Sequence, residues 1–188
     1  MNKTVEQIFA ESIEVKQETL KKNLPQIIRA AETIISAFKS GHKLFFCGNG
    51  GSAADSQHIA AEFVGRFQKE RKAWPAIALT TDSSALTALG NDYTFDIVFS
   101  RQLQALGQKG DVLIAISTSG NSKNVLEAVK QARSTGIITI AVTGGHGGQL
   151  ASQCDISIIA ASAKTARIQE SHLVIFHTIC ELVENSLT

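Results

Sequence analysis

Apolar residues recur at helical spacing through the first 40 residues of the chain. The pattern predicts two helices, over 5–20 and 24–38, with Pro25 in the first turn of the second. Both helices come before the first predicted strand, so their apolar faces need a partner. A helical layer of the same domain or another subunit would cover them.

Short continuous apolar runs alternate with helical patterns in the rest of the chain. Such runs are typical of strands in a parallel sheet that is covered on both faces. Five strands are predicted, over 43–47, 76–79, 112–116, 137–142 and 155–159. Helices are predicted over 53–67, 83–89, 95–106, 123–134 and 165–187, with a short one before the last strand. The alternation predicts one α/β domain over 1–188, with a doubly wound sheet of about five parallel strands.

Composition narrows the class of protein and the partners to expect. The chain has 188 residues, 44% hydrophobic and 19% charged, and a net charge of +1. This charge gives no basic field for nucleic acid, so no nucleic-acid partner is expected. The three cysteines lack paired spacing, which argues against a disulfide framework or a zinc finger. Without a signal peptide or a membrane-length apolar run, we expect a cytoplasmic protein with no membrane partner. The charged run over 69–72 is predicted to be a solvated turn.

A hydroxyl-rich loop follows the strand predicted at 112–116. Four hydroxyl side chains surround Gly120 just before a predicted helix, and they are Ser117, Thr118, Ser119 and Ser122. The free backbone N–H groups and the positive dipole end of a helix bind anions at such a place. A helix N-cap would need only one of these residues, Ser122. The four hydroxyls together predict a phosphate site.

A glycine-rich loop follows the first predicted strand, with the sequence Gly48-Asn49-Gly50-Gly51-Ser52. The loop has neither the lysine of a P-loop nor the spacing of a dinucleotide fingerprint. Its glycines allow a tight turn with positive φ, while Asn49 and Ser52 can hydrogen-bond sugar hydroxyls. Ligands of doubly wound sheets bind beyond the carboxyl ends of the strands, where both loops are expected.

The two loops together resemble those of the SIS (sugar isomerase) domain family, and the resemblance covers nearly the whole chain. It implies the flavodoxin-like SIS fold, a five-stranded parallel sheet flanked by helices. Three further stretches are similar to phosphoheptose isomerases, and they are Pro75-Ala76-Ile77-Ala78, Gly90-Asn91-Asp92 and Ala166-Arg167-Ile168-Gln169-Glu170. The resemblance implies an enzyme that converts sedoheptulose 7-phosphate to D-glycero-D-manno-heptose 7-phosphate, the first step of bacterial heptose synthesis for lipopolysaccharide or capsule. It also implies a homotetramer with active sites between subunits, assembled through residues 1–40 beside a core over 41–188.

An aldose–ketose isomerase needs a group that moves a proton between neighbouring carbons and an electrophile that polarises the carbonyl. His58 and Glu62 lie four residues apart on one predicted helix and so share a face. Gln169 and His177 lie eight residues apart on the last helix, two turns along. An isolated histidine is more often a structural polar group than a ligand, so the spacing alone leaves these roles open.

The resemblance implies roles for these residues. One zinc ion per subunit is implied, bound by the positions matching His58, Glu62, Gln169 and His177. Glu62 and His177 also match the acid–base pair, while Asn91 and Asp92 match a substrate-contacting pair in which Asp92 helps to position or relay a proton. The predicted substrate-binding set is Asn49, Gly50, Gly51, Ser52, Glu62, Asn91, Asp92, Ser117, Thr118, Ser119, Ser122 and Gln169. Ala166 stands where some members carry an acidic residue, so that carboxylate's role is absent or moved.

Three alternatives stay open. A non-catalytic relative that binds the bacterial replication initiator would keep the serine loop and lose the catalytic carboxylate, whereas Glu62 is retained here. A phosphosugar-sensing module would have no need of His58, Glu62 and His177 together. An isomerase of another phosphosugar is the third, since a phosphate loop does not report the length of the sugar. His172 matches no functional position of the family and is predicted to be structural.

Overall fold

The computed structural model describes residues 1–188 and contains five strands, seven α-helices and one short 3₁₀ helix. The strands are β1 Leu44–Cys47, β2 Ala76–Ala78, β3 Val112–Ser117, β4 Ile138–Gly144 and β5 Ile156–Ala160. The helices are α1 Asn2–Lys39, α2 Gly51–Val64, α3 Ser83–Asp92, α4 Val98–Leu106, α5 Lys123–Thr135, α6 Gly148–Gln153 and α7 Thr165–Leu187, with the 3₁₀ helix Phe95–Ile97 before α4. From β1 onward the predicted elements are confirmed, with small shifts of their ends.

All five strands are parallel and lie in the order β2-β1-β3-β4-β5. In the register, Leu44 of β1 lies between Ala76 of β2 and Val112 of β3. This is the flavodoxin-like doubly wound order, so the predicted fold class is confirmed. The strand order reverses between β1 and β3. Sheets of this kind bind ligands in the crevice at that point, which here lies between the two loops singled out in the sequence.

Helices cover both faces of the sheet. Leu44 and Phe46 of β1 belong to a core cluster of 25 buried residues that includes side chains of α1, α2 and α7. Phe45 and Cys47 point the other way, into a cluster of 15 buried residues that includes side chains of α4 and α5. Burial on both faces explains why the strands are continuous apolar runs rather than alternating ones.

The first 40 residues form one helix, and the prediction of two helices was wrong. Helix α1 is continuous, and Pro25 lies inside it. A proline within a helix removes a backbone hydrogen bond and costs about 3 kcal/mol. The turn before it is tied to β5: Asn23 donates from Nδ2 to the carbonyl oxygens of Thr19 (2.8 Å) and Ile159 (2.9 Å), and the N–H of Ile159 donates to Asn23 Oδ1. These tertiary hydrogen bonds hold the helix through the proline.

Helix α1 is packed unequally along its length. Its buried side chains begin at Thr19 and continue to Ala37, and no residue before Thr19 is buried. In this first half the apolar side chains face solvent, with exposed fractions of 44–66% for Val5, Ile8, Phe9 and Ile13. None of the helices, α1 included, is both long enough and apolar enough to cross a membrane.

The charged run over 69–72 is only partly the solvated turn that the sequence predicted. Lys69, Glu70 and Lys72 are exposed. The side chain of Arg71 is 3% exposed, because its guanidinium lies against the Trp74 ring and pairs with Glu184 of α7. The Arg71 side chain is therefore buried at the interface between the turn and α7.

Candidate active site

The serine loop begins at the carboxyl end of β3 and leads into α5. Ser117 is buried, and its Oγ lies 3.0 Å from the Oγ of Ser122 and 3.5 Å from that of Ser119. Ser122 is the N-cap residue of α5, but its side chain makes no capping hydrogen bond. The hydroxyls therefore converge on one another in front of the helix N-terminus instead of capping it. This is the arrangement that the predicted phosphate site requires.

The loop after β4 supports the serine loop by close backbone packing. Gly120 has φ +67°, and a Cβ there would lie 2.0 Å from the carbonyl oxygen of Gly147. Gly148 has φ +57°, and its Cβ would lie 2.5 Å from the carbonyl oxygen of Ser119. The N–H of Leu150 also donates to the carbonyl of Gly120 at 2.9 Å. Only glycine fits these contacts. Sequence reasoning gave this loop no role, although its four glycines were the available signal.

The glycine-rich loop after β1 is fixed to the serine loop by a pair of amides. Asn49 donates to Asn124 at 2.9 Å, and Asn124 donates back at 2.8 Å. Asn124 is buried in the first turn of α5 and was not among the predicted residues. Gly50 has φ +56° at the start of α2. A Cβ on Gly51 would lie 2.2 Å from Nε2 of Gln169, so the Gln169 amide lies directly on this loop.

Three predicted metal ligands come together between α2 and α7. Nε2 of His58 lies 3.0 Å from Oε1 of Glu62. His58, Glu62 and His177 each offer one ligand atom, and these atoms lie within 4.8 Å of one another. The rings of His58 and His177 meet edge to face with centroids 5.2 Å apart. These three residues are called the α2–α7 cluster below.

The α2–α7 cluster fits a divalent metal ion by its chemistry. Two imidazole nitrogens and a carboxylate oxygen form a mixed donor set of the kind that zinc accepts. Nε2 of His177 is buried and has no hydrogen-bond partner in the protein. A buried polar atom without a partner costs about 1–3 kcal/mol, and a metal ion would remove that cost. Gln169 precedes His177 by about 12 Å along the helix axis, and its amide lies against Gly51.

Asp55 is a second polar residue that the sequence did not single out. It lies one turn before His58 on α2, and its Oδ2 is buried without a hydrogen-bond partner. Burial raises the pKa of Asp55 above its usual value, and the nearby His58 partly opposes the shift. Asp55 thus places a carboxyl group of raised pKa close to the cluster.

Asn91 and Asp92 lie apart from these groups in the hydrogen-bond network. Both are exposed at the end of α3, and Asn91 Nδ2 donates to Asp92 Oδ1 at 2.9 Å. This is the only side-chain hydrogen bond of either residue. Their role as substrate contacts stays a prediction.

His172 has the structural environment that the sequence predicted for it. It is fully buried on α7, and its Nε2 lies 2.9 Å from the carbonyl oxygen of Thr143 at the end of β4. Burial lowers the pKa of His172 to about 4, although the bond to Thr143 opposes the shift. The ring is therefore neutral at pH 7, and it ties α7 to the strand that carries the supporting glycine loop.

Known proteins resemble this chain in both sequence and structure. The SIS domain profile matches residues 7–144. A phosphoheptose isomerase from Aquifex aeolicus is 53% identical over 184 residues, which cover 98% of this chain and 96% of that protein. One from Roseiflexus sp. (strain RS-1) is 52% identical over 176 residues, covering 94% and 89%.

Two solved structures have nearly the same fold. The phosphoheptose isomerase from Neisseria gonorrhoeae has a TM-score of 0.93 and 47% identity, with 98% of each chain covered. The one from Francisella tularensis has a TM-score of 0.94 and 39% identity, with 97% of each chain covered. The similarity therefore extends over both loops, the α2–α7 cluster and helix α1.

Proposed function

This chain belongs to the SIS domain family, and we propose that it converts sedoheptulose 7-phosphate to D-glycero-D-manno-heptose 7-phosphate in the crevice between its serine loop and its α2–α7 cluster. The predicted enzyme class, an aldose–ketose isomerase, is confirmed by the similarity to phosphoheptose isomerases over nearly the whole chain. The observation that carries the proposed site is the convergence of His58, Glu62 and His177, whose ligand atoms lie within 4.8 Å of one another. We further propose that the enzyme acts in the cytoplasm and supplies heptose for lipopolysaccharide or capsule.

The serine loop binds the phosphate of the substrate. Ser117, Thr118, Ser119 and Ser122 donate hydrogen bonds to its oxygens, and the N-terminus of α5 supplies backbone N–H groups and a favourable dipole. The phosphate fixes one end of the sugar, so the reacting carbons at the other end are held in one orientation. The sugar hydroxyls are bound by the glycine-rich loop, through Asn49, Gly50, Gly51 and Ser52, and by the Gln169 amide that lies against it. Asn91 and Asp92 contact the sugar as the family resemblance implies.

Glu62 and His177 carry the proton transfers. The isomerisation breaks the C1–H bond of the ketose and forms a C2–H bond, while a proton moves from O1 to O2, so no oxidant or reductant is needed. The Glu62 carboxylate takes the proton from C1 and returns it to C2. His177 exchanges the proton between the two oxygens through the ring nitrogen that does not hold the metal.

One zinc ion per subunit completes the proposal. His58, Glu62 and His177 hold it, with the Gln169 amide oxygen as the fourth ligand that the family resemblance implies. Bound there, zinc supplies a Lewis acid that polarises the substrate carbonyl. Glu62 can serve both roles because it has two carboxylate oxygens, one for the metal and one for the proton.

Metal removal tests this function. The protein is purified, analysed for zinc, and assayed for the aldose product from sedoheptulose 7-phosphate before and after dialysis against a chelator. We expect about one zinc per chain, loss of turnover on chelation, and recovery on adding zinc but not magnesium, which prefers oxygen ligands. Full turnover by metal-free protein would contradict the zinc proposal.

The proposed enzyme is a homotetramer assembled through α1. The exposed apolar residues in the first half of this helix support the proposal, since an apolar stripe that the subunit leaves open favours contact with another copy. Light scattering of the wild type should give four times the chain mass. Phe9→Lys should produce smaller species, whereas the control Gln7→Lys, on the same exposed turn, should stay tetrameric. A monomeric wild type would contradict the proposal.

A further inference from the structure

Arg71 closes the carboxyl end of α2, the helix that carries His58 and Glu62. The last carbonyls of a helix have no partner within it, and α2 has no basic residue in its last turn. Arg71 Nη2 donates to the carbonyl of Glu62 at 2.7 Å, and Nη1 donates to those of Phe63 and Gly65 at 3.0 Å each. The guanidinium therefore binds the backbone of the catalytic residue Glu62 itself.

Glu184 of α7 holds this guanidinium in place. Arg71 Nε donates to Glu184 Oε1 at 3.1 Å, and the backbone N–H groups of Phe67, Gln68 and Lys69 donate to the same carboxylate at 2.8–3.1 Å. The exposed fractions of the Arg71 and Glu184 side chains are 3% and 2%. Every hydrogen bond that this buried carboxylate accepts therefore comes from the turn that follows α2.

The ion pair lies on the same side of α7 as His177. Seven residues separate His177 from Glu184, which is nearly two full helical turns, so both project from one face of α7. Phe67, which donates to Glu184, also contacts His177 with ring centroids 5.4 Å apart. Glu62 and His177 come from helices far apart in sequence, and Arg71–Glu184 joins those two helices next to the cluster.

We propose that Arg71 and Glu184 are positioning residues that set the distance between Glu62 and His177 and so tune both metal binding and proton transfer. The proposal rests on the roles proposed above for Glu62 and His177. A buried ion pair adds little stability compared with apolar residues of the same size, because removing two charges from water is costly. The pair instead fixes the relative position of α2 and α7, since the planar guanidinium binds both helices at once in fixed directions.

Glu184→Gln is the main test, because it keeps the shape of the side chain and removes its charge. We expect kcat and zinc affinity each to fall about tenfold or more, as for other residues that orient metal ligands. KM should stay within about threefold, since the phosphate loop is untouched. Arg71→Lys keeps the charge but cannot bind Glu62, Phe63 and Glu184 together, and should act in the same direction. Zinc affinity is measured by competition with a chromophoric chelator.

Asp111→Asn is the matched control. The Asp111 carboxylate is also buried, accepts the backbone N–H groups of Lys43 (3.0 Å) and Gln108 (2.9 Å), and pairs with Lys43 Nζ at 2.9 Å. It lies directly before the amino end of β3, whereas the serine loop lies at the carboxyl end of that strand. We expect this variant to lower the melting temperature about as much as Glu184→Gln does, with kcat and zinc affinity within about twofold of the wild type.

Two results would overturn the proposal. One is a folded Glu184→Gln or Arg71→Lys variant with wild-type kcat and zinc affinity. The other is an Asp111→Asn variant that loses as much of both as Glu184→Gln does, because stability alone would then account for the loss. Glu62→Gln in the same assay distinguishes a failure of the proposed function from a failure of the positioning role. If it is fully active, the proposed role of Glu62 fails; if it is inactive while Glu184→Gln is normal, only the positioning role fails.

Discussion

The serine loop and the α2–α7 cluster are built in opposite ways. The loop is local, because its hydroxyls lie within six consecutive residues from the end of a strand to the start of a helix. Their positions are set mainly by the geometry of the backbone. The cluster joins His58 and Glu62 to His177, which is 115 residues from Glu62 along the chain, and it depends on how α2 packs against α7. The first is thus a property of one βα unit, whereas the second is a property of the whole fold.

This difference matches a division of roles, in which the loop binds the substrate and the cluster carries the chemistry. A loop that binds phosphate in the way proposed for the serine loop would serve an enzyme, a sensor or a regulator equally well, because a phosphate gains the same hydrogen bonds in each. The cluster has a use only where a metal is bound or protons are moved. Variants of the loop should therefore act mainly on KM, and variants of the cluster mainly on kcat.

The largest expected effect is that of Glu62→Gln. The amide keeps the size of the side chain but cannot take a proton, so we expect kcat to fall about 10³-fold, within the range for loss of a general base. KM should change little, because the serine loop is intact. Steady-state kinetics with sedoheptulose 7-phosphate would measure both. Glu127→Gln, on the exposed side of α5, is the control. A large rise in KM with an unchanged kcat would break the division between loop and cluster.

Gly120→Ala should act mainly on KM rather than on kcat, the reverse of Glu62→Gln. Its Cβ would meet the Gly147 carbonyl at 2.0 Å, and its φ of +67° is unfavourable for alanine. We expect a loss of about 3 kcal/mol in the free energy of unfolding and a raised KM. The control is Gly41→Ala, which has φ +78° but open space around it and should cost about 1 kcal/mol with KM unchanged. Equal losses in urea unfolding of the two variants would mean that loop packing contributes nothing.

A smaller effect comes from His172, which connects α7 to the strand behind the supporting loop. Its pKa is about 4 in the folded chain and about 6.5 when unfolded, so the unfolded chain binds the proton more readily. The contribution of this residue is full above pH 6.5 and is lost as the pH falls towards 4. Between pH 7 and pH 5 the loss is about 2 kcal/mol.

Comparison with His172→Gln isolates this contribution. Urea unfolding at pH 7 and pH 5 should show a pH dependence that is shallower in the variant by about 2 kcal/mol. The other titrating groups are the same in both proteins, so they cancel in the difference. An equal pH dependence in the two would show that His172 does not change its protonation on unfolding.

The two regions also differ in how far the sequence predicts them. The serine loop follows from local chemistry, since four hydroxyls and a glycine before a helix are more than an N-cap requires. The strands follow from their continuous apolar runs. The cluster could not be predicted from local patterns. The spacing of His58 and Glu62 alone is weak evidence for a metal site, and His177 joins them only through the packing of α7. Family resemblance, rather than periodicity, connected these residues.

The features that could not be predicted from the sequence all depend on tertiary contacts. Pro25 indicated a helix start, but Asn23 binds β5 and carries α1 through the proline. Asn124 gave no signal because its partner, Asn49, is 75 residues away. Arg71 lay within a charged run that resembles a solvated turn, and only the position of Glu184 on α7 buries it. None of these contacts has a periodic pattern by which it could be predicted.

The most direct test of the account is to measure binding and turnover of sedoheptulose 7-phosphate on the same zinc-loaded preparation of the wild-type protein. Titration calorimetry would report binding, and NMR would follow the appearance of the aldose. We predict saturable binding together with steady formation of D-glycero-D-manno-heptose 7-phosphate until equilibrium is reached. Saturable binding without any aldose would contradict the account, because the serine loop would then serve a sensor and the α2–α7 cluster would carry no catalysis.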